Sequence, residues 1–257
     1  MAERPQVVNA VPAVTAQLLH TRNPVMAMDR TIELLKSVST ATITTQLLSR
    51  GLRNVFLEGV RPLTPHRMAG PAFTLRYIPA REDIDTLDVF KDYDHPQRAA
   101  IEQVPPGHVL VMDCRGQKRA ASAGGILLTR LQARRAAGLV TDGALRDTPE
   151  IGKLGISVYA QDASPVTNLV QHHATDINVP IGCAEVPIYP GDIMVGDEEG
   201  VVCIPQHLAS EVAEAAREQE KLERFIQYEV SNGAPLRGTY PPNEDTLERY
   251  RESPYSR

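Results

Sequence analysis

Cysteine is scarce in this chain. The three residues, Cys114, Cys183 and Cys203, are odd in number and show no CxxC or CxxH spacing. Such a set builds neither a disulfide framework nor a thiolate metal site, and it reads as reduced, structural and cytoplasmic. Lysine is rare too. All five (Lys36, Lys91, Lys118, Lys153, Lys221) stand among polar neighbours, so none is desolvated enough to serve as an imine-forming nucleophile at neutral pH. The net charge is −5 with no sustained basic block, which argues against a nucleic-acid footprint or a membrane-binding patch. No apolar run approaches the ~20 residues that cross a bilayer, the start of the chain lacks a basic-then-apolar leader, and no segment repeats.

What is present suffices for one large domain. Of the 257 residues, 42% are hydrophobic, enough for a sizeable core. The patterning divides the chain into an N-terminal extension (1–30), punctuated by Pro5, Pro12 and Pro24, a single domain (31–230), and a tail (231–257) rich in Pro and Gly. From Thr31 the spacing predicts two helices broken at Ser39-Thr40 and ending near Gly51, with the Thr-rich turn as a cap. GPAFTLRYIPA reads as an alternating strand with Arg76 as a structural residue. The carboxylate-rich run from Glu82 to Asp94 reads as a solvated helix face without a metal. Short strands are predicted at ISVYA, NVPIG, VPIYPGDIMVGD and GVVCIP. His172 and His173, being adjacent, would face opposite sides of a strand. Gly191-Asp192 and Gly196-Asp197 read as turns with local hydrogen bonds. His207 to Val230 is a strong amphipathic helix with Leu208, Val212, Ala215, Leu222 and Ile226 near one face.

The chemistry concentrates in Gly124 to Asp147, GGILLTRLQARRAAGLVTDGALRD. Leu127, Leu128 and Leu131 give a helical apolar face that Gly124-Gly125 opens and Gly138 is expected to end, and Leu139-Val140 begins a strand. With the strand HVLVMD upstream, the unit is βαβ, its loops on the edge where α/β folds bind ligands. The first helical amides, at Gly125, Ile126, Leu127 and Leu128, form an anion seat. Arg146 offers a planar bidentate clamp for a carboxylate. Asp147 is a hard oxygen ligand suited to Mg²⁺ or Mn²⁺. Asp113 is expected to hold its loop by hydrogen bonds, and Arg119 to add positive potential for a dianionic substrate.

The spacing from Gly125 through Gly138 and Asp142-Gly143 to Arg146-Asp147, together with VPIGCAEVPIYPGDIMVGDEEGVVCIP, resembles the signature of the RraA-like family, over roughly Thr31 to Pro205. That family includes a regulator of ribonuclease activity and metal-dependent 4-hydroxy-4-methyl-2-oxoglutarate aldolases. The resemblance implies a swivelling β/β/α architecture, an α/β fold, in a homotrimer or hexamer with its site between subunits. It implies Mg²⁺ (or Mn²⁺) on Asp147, with Glu150, and Glu220 of a neighbouring subunit, holding metal-bound water. One departure stands out: Gly124-Gly125 occupies the place where the aldolases are expected to carry an acid.

The expected function is a class II lyase that cleaves a 4-hydroxy-2-oxo acid to pyruvate and a carbonyl compound, with oxaloacetate decarboxylation through the same enolate. Arg146 and Asp147 are its expected catalytic residues, and a small 2-oxo acid and copies of itself its expected partners. The alternatives are a dehydratase or lyase for a 2-oxo-3-deoxy sugar acid and a non-catalytic regulator of an endoribonuclease; a metal ligand directly after Arg146 favours the enzyme.

Overall fold

In a computed structural model that describes residues 24–257, the chain folds as a mixed α/β domain. Two helices, α1 (Pro24–Ser37) and α2 (Thr40–Ser49), lead into strands β1 (Arg61–Pro62) and β2 (Met68–Pro79). Then follow α3 (Pro96–Gln103), β3 (Val109–Asp113), β4 (Ala121–Ala123), α4 (Gly125–Ala133), β5 (Gly138–Leu145), α5 (Thr148–Ile151) and β6 (Ser157–Ala163). Five short strands complete the sheets: β7 (His172–Ile177), β8 (Ile181–Cys183), β9 (Val186–Ile188), β10 (Ile193–Gly196) and β11 (Val201–Ile204). The chain closes with α6 (Ala209–Ser231) and α7 (Glu244–Glu252).

The main sheet runs β1-β6-β5-β3-β2-β10-β11, with β4 added beside β5 and β7 beside β2. The pairs β2·β3, β3·β5, β5·β6 and β4·β5 are parallel. A parallel sheet is covered on both faces, and the side chains of β3 show how. Leu110 and Met112 enter a core with Leu128, Leu131 and Ile101 under α3 and α4. Val109 and Val111 point the other way, into a core with Tyr159, Met194 and the β8–β9 hairpin. A third cluster packs α1, α2 and α6 on β10 and β11.

Several sequence expectations change here. Helix α1 already begins at Pro24, so the helical pattern starts inside the segment assigned to the extension. Strand β2 does not alternate: most of its residues are buried on both faces. Gly138 does not end α4. The helix stops at Ala133, and Arg135 takes the left-handed turn (φ 60). Gly138 is the first residue of β5, where a β-carbon would meet Met68 Sδ at 2.3 Å and Ser157 O at 2.8 Å. The carboxylate-rich segment forms turns and one 3-10 helix, Leu87–Lys91, rather than a helix face. Its Asp85 is buried, accepting from Arg81 N and lying 2.7 Å from His173 Nδ1. His172 and His173 do face opposite sides, His172 fully buried with Nε2 3.0 Å from Ala120 O.

The break between α1 and α2 is capped by Ser39, whose hydroxyl accepts from Thr42 N. Asp197 is more than a local turn former. It accepts from both Thr40 N and Thr40 Oγ1 at 2.8 Å, and from Arg67. The buried stripe of α6 is Ala209, Val212, Ala213, Ala216, Phe225 and Ile226; it includes the expected Val212 and Ile226, while Ala215 and Leu222 are only partly covered. The tail packs on its own chain: Tyr250 and Tyr255 lie 5.7 and 6.1 Å from the Phe225 ring. Tyr240 stays exposed. Leu18 and Leu19 of the N-terminal extension lie outside the described residues.

Candidate functional site

The site grows from a gap at the start of α4. Gly124 is the N-cap residue and has no side chain to satisfy the first amides. The missing cap comes from across the turn: Asp147 Oδ2 accepts from Gly125 N at 3.0 Å. Asp147 reaches it because its backbone is left-handed (φ 59, ψ 35) at the end of β5, where it also starts α5. For a non-glycine residue that conformation is uncommon, and such backbone strain concentrates at functional sites. Arg146 N donates to Ala123 O, locking the turn to β4. Its guanidinium Nε stands 3.7 Å from Asp147 Oδ2, a loose pair with both side chains about half exposed.

The two glycines are the counterpart of this pair. A β-carbon at Gly124 would lie 2.7 Å from Asp147 Oδ2 and 2.9 Å from Arg146 Cγ and Nε. The space in which the resemblance expects an acid is therefore filled by Arg146 and Asp147. The anion seat is also smaller than predicted. Leu127 N and Leu128 N both donate to Gly124 O, at 3.1 and 3.2 Å, and Gly125 N is held by Asp147. Among the described residues only Ile126 keeps an unpaired amide in this first turn.

Arg146, Asp147, Gly124, Ile126 and Leu127 share the wall of a cleft of about 310 Å³. On the other side of Asp147 lies a second, more open hollow of about 560 Å³, bounded by Gly125, Thr129, Glu150 and Leu154. Glu150 thus opens onto the second hollow and not the first, while Asp147 and Ile126 border both. Arg119 lines neither; its side chain is exposed and its carbonyl accepts from Ser164 Oγ. Glu220 also lines neither. Within its own chain it accepts from Ser39 N at 2.6 Å, an engagement with the α1–α2 break. A larger hollow of about 810 Å³ beside α2 is mainly apolar and contains no part of this constellation, so size does not locate the chemistry.

Behind the site, Asp113 holds its loop as expected, accepting from Arg115 N and Gly182 N. A second buried carboxylate was not anticipated. Asp142 accepts from Cys114 N, Gly116 N and Ala184 N at 2.6, 2.9 and 3.1 Å, tying the β3–β4 loop to the β8–β9 hairpin. Burial raises its carboxyl above the usual range against the opposing pull of these amides. Sequence reasoning also missed Gln97, Arg98, Ser122, Thr167 and Asn168, which line the same cleft. Gln97 and Arg98 follow a carboxylate-rich stretch, and neither they nor Thr167-Asn168 stand in any motif, so only the fold reveals them.

Among the described residues no three His, Cys, Asp or Glu side chains cluster closely enough to hold a metal by themselves. Asp147 Oδ1 has no hydrogen-bond partner among them either. One free carboxylate oxygen at a water-accessible rim fits a hard cation that keeps most of its water, as Mg²⁺ does, and does not fit an all-protein tetrahedral site.

The family model for RraA-like proteins, described as Aldolase/RraA, matches residues 40–203. A Halalkalibacterium halodurans protein provisionally named 4-hydroxy-4-methyl-2-oxoglutarate aldolase is 32% identical over 171 residues, 66% of this chain and 75% of that one. A Thermus thermophilus 4-hydroxy-4-methyl-2-oxoglutarate aldolase is 32% identical over 123 residues, 48% of this chain and 74% of its own. Among solved structures, Streptomyces coelicolor RraAS2, described as an unusual member of the RNase ES inhibitor RraA protein family, is similar at a TM-score of 0.69 and 30% identity. That likeness covers 77% of this chain and 96% of the other.

Proposed function

The chain belongs to the RraA-like family, and from that premise we propose that it is a divalent-metal-dependent lyase cleaving a 4-hydroxy-2-oxo acid to pyruvate and a second carbonyl compound. The observation that carries this reading is the left-handed Asp147. Its Oδ2 is taken by the Gly125 amide and its Oδ1 is free, beside Arg146 and the unpaired Ile126 amide.

Asp147 Oδ1 is the atom that would hold Mg²⁺ or Mn²⁺, and Glu150 on the far side would reach it through water. When bound, the cation supplies a Lewis acid that polarises the 2-oxo group. Arg146 clamps the C1 carboxylate in its planar fork, with the Ile126 amide as a further donor. This orients the substrate so that the C3–C4 bond breaks. Its electron pair moves onto C3 and C2 to give the pyruvate enolate, and C4 becomes a carbonyl as its hydroxyl loses a proton. Among the described residues Asp147 is the only carboxylate lining the cleft and is committed to the amide and the cation, so that proton leaves to water. Protonation at C3 completes pyruvate. The positive charge of Arg146 favours the enolate throughout. Decarboxylation of oxaloacetate passes through the same enolate. We take the working assembly to be a trimer or hexamer.

The test is pyruvate release across 4-hydroxy-2-oxo acids and oxaloacetate with Mg²⁺, with Mn²⁺ and with excess chelator. Activity that chelator abolishes and metal restores supports the reading. Full activity in chelator, or borohydride trapping of substrate on a lysine, overturns it. The similarity to RraAS2 supports a second reading, a regulator of an endoribonuclease. Inhibition of such an enzyme without release of pyruvate from any substrate would select it.

A further inference from the structure

The stretch AASAGG, Ala120 to Gly125, enters the site, and Ser122 alone in it has a polar side chain. Its alanines offer one methyl each and its glycines nothing, so it can do little to fix its own backbone through side chains. Yet the site depends on that backbone. Ala123 O receives the Arg146 amide, and Gly124-Gly125 lead directly to the unpaired amide of Ile126.

The hold comes from other elements. Gln97, in the first turn of α3, is buried, and its Nε2 donates to Ser122 O. Tyr77 of β2, also buried, donates its hydroxyl to the same carbonyl at 3.5 Å. Burial raises the Tyr77 phenol well above its usual pKa, so the hydroxyl keeps the proton it donates. Ser122 Oγ in turn donates to Ala144 O of β5 at 3.1 Å. Three elements thus converge on one residue of β4. The support under Gln97 is itself fixed, because Ala100 and Ile101, one turn further along α3, are buried in the core. Gln97 also lines the cleft, yet its amide is engaged with the protein's own backbone.

We propose that Gln97, assisted by Tyr77, is a positioning residue for the Ile126 amide: by holding the Ser122 carbonyl it sets β4, and with it the glycine turn that aims this donor at the substrate carboxylate. A binding group works only when the shell behind it fixes its place, and a segment made of alanine and glycine must borrow that shell from its neighbours. Removing the Gln97 donor leaves the Ser122 carbonyl with the longer Tyr77 bond, and β4 with the following turn gains freedom. The proposal rests on the carboxylate seat assigned above, and not on the reaction occurring there.

The experiment is calorimetric titration of the Mg²⁺-saturated full chain with oxalate, a planar mimic of the pyruvate enolate, at a temperature well below the melting point of each variant. Gln97→Met keeps the length of the side chain and removes the donor; Gln97→Asn keeps the amide but is one methylene too short to reach, and serves should the first not fold. Either should weaken oxalate by about 10-fold, the scale of one hydrogen bond, and Tyr77→Phe by a smaller factor. Mg²⁺ affinity should change little, since Asp147 is carried by β5. Hydrogen exchange should quicken over residues 123–128 while β3 stays protected. A lowered melting temperature with oxalate affinity unchanged would make the Gln97 bond merely structural and overturn the proposal. So would equal losses of Mg²⁺ and oxalate affinity, which mark general loosening, and failure of the unsubstituted protein to bind oxalate. Oxalate binding that depends on Gln97 in a protein that releases no pyruvate would uphold the positioning role and dismiss the lyase.

Discussion

A β-carbon placed on Gly124 would lie 2.7 Å from Asp147 Oδ2, so the glycine and the carboxylate are two halves of one feature. Gly124 has an extended backbone (φ −140) that any residue adopts. Its requirement is for space and not for conformational freedom. The atoms it would strike belong to the half-exposed side chains of Arg146 and Asp147 and not to the backbone, so those two side chains can shift without unfolding the core.

Gly124→Ala is accordingly expected to keep a melting temperature within a few degrees of the unsubstituted protein and to lose most of its metal affinity and pyruvate release. Thermal melting and Mg²⁺ titration check the two halves separately. A variant that is fully active would mean that the position of Asp147 does not matter.

Arg146 and Asp147 should separate kinetically. The carboxylate that Arg146 clamps is held in both ground and transition states, so Arg146→Ala should mainly raise KM, at about 1.5–3 kcal/mol per charged hydrogen bond lost. Arg146→Lys should recover only part, since an ammonium lacks the planar fork. Asp147→Ala should collapse kcat even at saturating substrate. Wild-type metal affinity in Asp147→Ala, or wild-type oxalate affinity in the metal-loaded Arg146→Ala, would refute these roles.

Asp197 makes stability depend on pH. Burial pushes its carboxyl up, but the two Thr40 bonds, the Glu199 amide and Arg67 outweigh this and hold it below the usual range. A depressed carboxyl contributes stability above its unfolded pKa of about 4 and loses it as pH falls through the folded value. Asp197→Asn should therefore cost about 1–3 kcal/mol at pH 7, with the difference from wild type shrinking below about pH 4. Urea denaturation at both pH values measures it; a constant difference would contradict the assignment.

The three thiols should be silent in the native state. Cys114, Cys183 and Cys203 are free and buried, and burial above all pushes Cys114 up to about 12 and raises the other two. A thiol reagent at pH 8 should titrate none before denaturation and all three after it. Rapid labelling of the native protein would show that the core opens there.

Large apolar side chains left exposed on the single chain motivate a test of assembly. Ile126, Tyr93 and Leu87 are 85%, 83% and 73% exposed in the single chain, and coverage by other copies would remove that exposure. Light scattering should find at least three chains; a stable monomer at micromolar concentration would contradict it.

Local patterning by itself determined the βαβ unit, the opening of α4 at Gly124-Gly125, the strands β3 and β5, the break before α2 and the identity of the Arg146-Asp147 pair. Each is a matter of periodicity or turn chemistry within a few residues, so it is written in order along the chain. Tertiary structure decided which groups were spent and which were free. Asp147 closes on Gly125 across 22 positions and Asp197 on Thr40 across 157. The first removes an amide from the predicted anion seat, and the second turns an apparent local turn into a helix cap. The same holds for Glu220, engaged by Ser39, and for Arg98 and Asn168, which share a cleft only because α3 and the segment before β7 meet there. Hydrogen-bond partners and the direction of a side chain depend on packing between distant elements, and no local period records them.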